Sequence, residues 1–346
     1  MTTAPDPRLA QIEAWLRSLP GTLALRPDTL RPASSDASFR RYFRLDAADG
    51  TAIVMDAPPP HEDVRPFLHA GGLLAETGLN VPRILAQAPE QGLLLLSDLG
   101  NDTYYQRIQA GLDDARLQAL YREALAALVR MQQAPVTGLP AYDAARLAAE
   151  LELFPEWYVG RHHGMALDDK SAAALRQVFQ LLAGSGAGQQ PVFVHRDFHS
   201  PNLMVCEDPR HGPNPGILDF QDALAGPLTY DLASLVTDAR TTWEEPQQLD
   251  WAIRYWEMAR AAGLPVDADF AEFHRAYEWM SLQRNLRILG VFARLHHRDG
   301  KSGYLAHMPR VNGYVRQVAQ RYGAFAPLLK LLDRLDGREA QVGYTF

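Results

Sequence analysis

The stretch FVHRDFHSPNLMV, residues 193–205, governs how the rest of the chain is read. Pro191, Val192, Phe193 and Val194 lead in as a short apolar strand, and Leu203, Met204 and Val205 lead out as another. Between them stand His195, Arg196, Asp197, His199 and Asn202. A core strand would not carry such polarity, because an unpaired buried polar group costs free energy. A solvated turn would not need apolar runs on both sides. Asp197 sits at the end of the first run, where a side chain can project from a rigid support into a cleft. Asn202 follows five residues on, and a second apolar segment, Ile217-Leu218, ends in Asp219. The intervening Gly- and Pro-rich segment at 209–216 can return Asp219 to the same loop. Two carboxylates and a carboxamide at one spot suit Mg²⁺, which takes one or two carboxylates, water and substrate phosphates. An Asp not committed to metal can accept a proton from a hydroxyl nucleophile. That division of labour is the pattern of phosphoryl transfer.

The chain around this stretch changes texture once. Residues 8–18 have helical spacing and end at Pro20-Gly21. Residues 39–46 alternate Phe39, Arg41, Phe43 and Leu45 with Arg40, Tyr42 and Arg44, which predicts a strand with one covered face. A turn at 48–50 and a partner strand at 51–56 follow, then a helix over 63–77 and strands at 82–86 and 93–96. Beyond Gly100 the spacing is helical, at 113–133, 143–154, 171–183, 229–239, 247–262, 268–289 and 305–334. AGSGAGQQ at 183–190 reads as a flexible connection. The expectation is an α+β, protein-kinase-like two-lobed fold. A small antiparallel-sheet N-lobe (1–97) would bind nucleotide, and a larger helical C-lobe (98–346) would hold the catalytic loop and acceptor pocket.

Composition narrows the partners. The 346 residues are 47% hydrophobic and 22% charged, with a net charge of −7. There is no positive field to gather nucleic acid. Cys206 is the single cysteine, which suits a reducing cytoplasm. The N-terminal stretch lacks a signal-peptide layout, and no apolar run reaches the ~18–20 residues of a membrane span. The expected partner is a small molecule in the cytoplasm, with no nucleic acid, membrane or protein partner implied.

HRDFHSPN (195–202) followed by LDF (218–220) has the order of the protein-kinase catalytic and metal loops. The continuation ILDFQDALAGPLTYDLASL (217–235) resembles the aminoglycoside phosphotransferase and choline kinase superfamily, and no Ala-Pro-Glu follows as in protein kinases. SSDASFRRYFRL (34–45), VMDAPPPHEDVRPF (54–67), LLLLSDLG (93–100), ELELFPEWYVGRH (150–162) and SLQRNLRILGVFARLHHRDGKSGYL (281–305) are more narrowly similar to a bacterial family within it. That family consists of the kinases that phosphorylate free amino sugars in cell-wall recycling. The resemblance implies transfer of the ATP γ-phosphoryl, with Mg²⁺, to the C1 hydroxyl of N-acetylmuramate or N-acetylglucosamine. Asp197 would then be the catalytic residue, and Asn202 and Asp219 the metal ligands. Asp231, opening a helix, reads as a structural anchor. Other small acceptors, or nucleotide binding without turnover, are the competing readings.

On the nucleotide side, Ser34, Ser35 and Ser38 lie in the segment expected over the phosphates, and the backbone at Leu96 and Ser97 is expected to meet adenine. Where the strand of a kinase lobe normally offers a Lys to the phosphates, this chain has Met55. Arg40, Arg41, Arg44 and Arg65 are the nearby cations. Arg41 and Arg44 are the two expected to serve. For the acceptor, Glu152, Trp157, Gln283, Arg284 and Arg294 offer polar and aromatic surface of the kind a sugar needs. An Arg could bind a carboxylate in bidentate fashion. Arg287 and Arg298 read as solvent-facing charges.

Overall fold

The alternation at residues 39–46 becomes a strand whose two faces meet different surroundings. The computed structural model describes residues 6–35, 39–48 and 50–338. In chain order the first elements are α1 (Pro7–Ser18), β1 (Arg26–Ser35), β2 (Arg41–Ala47), β3 (Gly50–Asp56), α2 (Arg65–Glu76), β4 (Ile84–Ala88), β5 (Leu93–Ser97) and α3 (Tyr104–Ala110). The strands form a five-stranded antiparallel sheet ordered β1-β2-β3-β5-β4. Phe43, Leu45, Ala52, Val54, Leu93 and Leu95 pack with Ile12, Trp15 and Leu16 of α1. By the two-residue period, Tyr42, Arg44, Ile53 and Met55 belong to the opposite face. β1 was not legible in the sequence. Its stretch RPDTLRPASS carries two prolines, which a sheet tolerates only at an edge. β1 is an edge strand with two register irregularities.

The chain continues through α4 (Asp114–Met131), α5 (Ala144–Leu151), α6 (Asp169–Ala187), β6 (Pro191–Val194), β7 (Leu203–Met204), β8 (Gly216–Ile217), β9 (Leu224–Pro227), α7 (Tyr230–Val236), α8 (Glu245–Ala261), α9 (Phe270–His297), α10 (Met308–Arg321) and α11 (Ala326–Leu335). Two compact units result: Met1–Arg107 with Asn202–Asp222, and Ile108–Pro201 with Ala223–Phe346. The first contains the five-stranded sheet and the β7–β8 pair. The second contains helices α4–α11 and the β6–β9 pair, built on a core that includes Leu151, Phe154, Phe179, Leu286, Leu289 and Val315.

Three helical expectations change. Residues 183–190 do not form a flexible connection up to Ala187, because α6 runs through them. A Cβ on Gly186 would stand 2.7 Å from Met280 Cε and 2.9 Å from Leu147 Cδ1, so this glycine permits close helix packing. The helix expected at 143–154 ends at Leu151, and Phe154–His162 follows as a π-helical segment against α9. Residues 305–334 divide into α10 and α11, broken at Tyr322.

Candidate active site

In the first unit, the short β7–β8 ladder pairs Leu203 with Ile217 and Met204 with Gly216. Asn202 and Asp219 flank this ladder and therefore meet. The Leu218 N–H donates to the Asn202 carbonyl at 3.0 Å, and Asn202 Nδ2 donates to Asp219 Oδ2 at 3.3 Å. Gln221 Nε2 donates to Asp219 Oδ1 at 2.6 Å, and Arg40 Nη2 stands 3.6 Å from that same oxygen. Asp219 has φ +66°, a left-handed conformation that Asp accepts more readily than most residues. The neighbouring Phe220 is buried and stacks on Phe67 of α2 with centroids 4.6 Å apart, which fixes the segment.

Asp219 and Asn202 offer hard oxygen donors, and 36% of the Asp219 side chain is exposed. Among the described residues no group of three or more His, Cys, Asp or Glu could hold a metal ion. An ion at Asn202 and Asp219 would therefore complete its coordination with water and phosphate oxygens. That donor set fits Mg²⁺.

In the second unit, Asp197 follows β6. The N–H groups of His195 and Arg196 both donate to the Asp231 carboxylate, at 2.6 and 2.9 Å. They hold Arg196 at φ +77°, a conformation that costs on the order of 1–3 kcal/mol for a residue with a side chain. Asp231 lies in the first turn of α7 and is fully buried. Burial raises its carboxyl to about 7, against the pull of the two N–H donors. Asp238, buried seven residues further on, accepts the Ser200 N–H at 3.1 Å, the Ser200 hydroxyl, and the Arg240 N–H at 2.9 Å. Asp231 and Asp238 thus brace the 195–200 loop that carries Asp197.

The charge around Asp197 is mostly positive. Arg196 Nη2 donates to Glu150 Oε1 at 2.7 Å, and Arg287 Nε lies 3.0 Å from Glu150 Oε2. The Tyr142 hydroxyl also donates to Glu150. Burial by itself would raise the Asp197 carboxyl. The opposing charges of His199, Arg287, Arg284 and Arg196 outweigh it and hold the group at about 2. His199 Nε2 lies 3.8 Å from Asp197 Oδ1, and burial keeps this imidazole below its ordinary pKa. The Asp197 side chain is nevertheless 39% exposed, so a ligand can reach it. So acidic a carboxyl is a weak base. It is suited to orient a hydroxyl and take its proton as the new bond develops, not to ionise the hydroxyl beforehand.

The other predicted residues fall into several settings. Ser34 and Ser35 end β1 opposite Tyr42 and Arg41, while Ser38 lies outside the described residues. Leu96 and Ser97 close β5, where the Ser97 N–H donates to the Arg83 carbonyl at 2.9 Å and the Arg83 N–H donates to Ser97 Oγ at 2.9 Å. Arg41 and Arg44, the cations expected at the phosphates, are each paired with carboxylates. Arg41 shares the sheet face that α1 covers and pairs with Asp56 at 2.7 Å and Asp6 at 2.6 Å. Arg44 pairs with Asp98 at 2.5 Å and the Gly100 carbonyl at 2.8 Å. Glu152 is exposed at the end of α5, and Trp157 packs against the helical core. Gln283 is buried and donates to the Leu147 carbonyl at 2.8 Å. Arg284 is buried, and its Nε and Nη1 have no hydrogen-bond partner among the described residues. Arg294 is half-buried, its pKa lowered by burial and by Arg298 and Arg287.

Sequence reasoning passed over Glu150, Asp238 and His199, and misjudged Arg287, which is mostly buried. One signal was available: Asp231 and Asp238 are spaced by about two helical turns in an otherwise apolar run, which puts them on one face. Arg298 is exposed and pairs with Asp299, as a solvent-facing charge would.

A braced loop that presents an ionised carboxylate in one unit, and an Asn–Asp pair in the unit that carries a small antiparallel sheet, are features of a kinase-like phosphotransferase. The chain belongs to the phosphotransferase enzyme family, whose model matches residues 29–268. It is 47% identical over 344 residues to the N-acetylmuramate/N-acetylglucosamine kinase of Pseudomonas aeruginosa, covering 97% of this chain and 99% of that one. The kinase of the same name from Neisseria meningitidis is 43% identical over 342 residues, covering 98% and 99%. Among solved structures, an ADP-bound aminoglycoside phosphotransferase is similar with a TM-score of 0.59 at 12% identity, over 90% of this chain and 97% of that one. A choline/ethanolamine kinase family protein from Mesorhizobium loti gives 0.58 at 14% identity, over 94% and 99%. The two-lobed kinase-like fold expected from the sequence is therefore the fold of this chain. No helix among the described residues is long and apolar enough to cross a membrane.

Proposed function

We propose that this chain transfers the γ-phosphoryl of ATP to the C1 hydroxyl of N-acetylmuramate and N-acetylglucosamine, in the recycling of peptidoglycan. The near-complete likeness to curated kinases of that name carries the reading. The ionised, accessible Asp197 supports its chemistry. Asp197 orients the acceptor hydroxyl and receives its proton. Asn202 and Asp219 hold Mg²⁺, which supplies charge neutralisation on the transferring phosphoryl group. Ser34, Ser35 and Ser38, the last outside the described residues, are the proposed phosphate contacts, and Leu96 and Ser97 border the adenine. Among Glu152, Trp157, Gln283, Arg284 and Arg294, the strongest acceptor contact is Arg284. A buried guanidinium with unpartnered N–H groups is costly unless a ligand completes it.

The product distinguishes this reading from other acceptors. Phosphorylation at C1 removes the free reducing end of the sugar. The expected product of incubation with ATP, Mg²⁺ and N-acetylmuramate is non-reducing, with a phosphorus NMR signal coupled to the anomeric proton. A phosphorylated sugar that still reduces would contradict the C1 assignment.

A further inference from the structure

The kinase chemistry leaves one position unfilled. Met55 stands where a β3 Lys would reach the phosphates, and its side chain is fully buried. We propose that Arg40, just ahead of β2, is the cation that contacts the ATP phosphates in place of that Lys. The inference rests on the phosphoryl-transfer reading of Asn202 and Asp219.

Tyr42 pairs with Met55, and Arg40 precedes Tyr42 by two residues. The strand period therefore places Arg40 on the face of Met55, as its diagonal neighbour across the β2–β3 ladder. The side chain of Arg40 is only 11% exposed, and its guanidinium lies 3.6 Å from Asp219. A cation beside that carboxylate is placed to meet phosphates bound next to Asp219. The backbone leading into Arg40 is held in place: the Phe39 N–H donates to Glu62 Oε1 at 3.2 Å, and the Phe39 ring stacks on His61.

The other cations of this region are engaged away from Asp219. Arg8 and Arg41 neutralise buried Asp56, Arg44 pairs with Asp98, and Arg65 pairs with Asp63 and Glu90 at the surface. Those pairs measure 2.5–3.2 Å, whereas Arg40 and Asp219 stand 3.6 Å apart. Guanidinium binds phosphate in the same forked geometry as carboxylate, so a guanidinium at this place suits a polyphosphate.

Calorimetric titration of the full chain with the β,γ-imido analogue of ATP, and separately with adenosine, tests this assignment. Arg40→Ala is expected to weaken the analogue about 10–100-fold, the loss of a charged contact, and to leave adenosine binding unchanged. Arg40→Lys should retain part of the affinity. Adding Met55→Lys to Arg40→Ala should recover part of it from the neighbouring position. Native affinity for the analogue in Arg40→Ala would overturn the proposal, as would tighter binding or an equal loss for adenosine. No acceptor is present in these titrations. A failure of the sugar-kinase reading would therefore appear in turnover assays and leave this result standing.

Discussion

Asp231 is the residue on which the loop that carries Asp197 hangs. It accepts two successive backbone N–H groups and stabilises a left-handed Arg196 that would otherwise be strained. Its carboxyl is raised by burial to about 7, above the ~3.9 of an unfolded chain. The folded state therefore binds the extra proton between those values, and this group's contribution to stability declines as pH rises from about 4 to 7. Asp197 has the opposite sign. Held at about 2, it contributes stability above pH 4 that is lost as pH falls toward 2. Unfolding titrations from pH 4 to 8 should show that Asp231→Asn lowers stability and flattens the slope of the native curve by on the order of a few kcal/mol. An unchanged slope would contradict the raised carboxyl. Glu150→Gln leaves Arg196 and Arg287 without their shared countercharge, and should cost about 3 kcal/mol in denaturant unfolding. At this scale the sequence displays Asp197, Asn202 and Asp219, because their spacing is local. It hides Glu150 and Arg287, whose ion-pair partners are 46 or more residues away.

Among the elements, those with a clean period are legible. α1, β2, β3 and β5 appear within a residue or two of their expected places, because one face of each is buried continuously. Glycine was the least reliable guide. In α6 it marks close packing instead of flexibility, and the same is true of α9. A Cβ on Gly290 would stand 2.4 Å from the Leu153 backbone carbonyl. Because backbone cannot yield as a side-chain tip can, Gly290→Ala should destabilise the chain by about 1–3 kcal/mol, read as a lower melting temperature. Gly263, with open space around it, has no such contact to lose but holds a positive φ. Gly263→Ala should therefore cost about 1 kcal/mol, through backbone strain alone. Equal stability of Gly290→Ala and the native chain would contradict the packing of α9 against the 154–162 segment. β1 and the β6–β9 pairing escaped the sequence because edge prolines mask the first, and the second pairs Val194 with the distant Leu224 and Pro191 with Pro227.

For the molecule as a whole, the order of features along the chain carried more than any single motif. A sheet-rich start, a polar loop between apolar strands, and a helical remainder together specify a phosphotransferase fold. What that order does not encode is the use of each charge. The sheet arginines look alike in sequence, yet Arg41 and Arg44 are bound to carboxylates remote from Asp219 while Arg40 stands beside it. The net charge of −7 likewise leaves recognition to local cations instead of a long-range field. The measurement that tests the central claim most directly is ADP release from ATP and Mg²⁺ with N-acetylmuramate, N-acetylglucosamine, glucose, choline and kanamycin in parallel, for the native chain and Asp197→Ala. Release stimulated by the two N-acetyl sugars, and reduced about 10²–10⁴-fold in Asp197→Ala, is the predicted result. Release that ignores the sugars, or that survives intact in Asp197→Ala, would contradict the account.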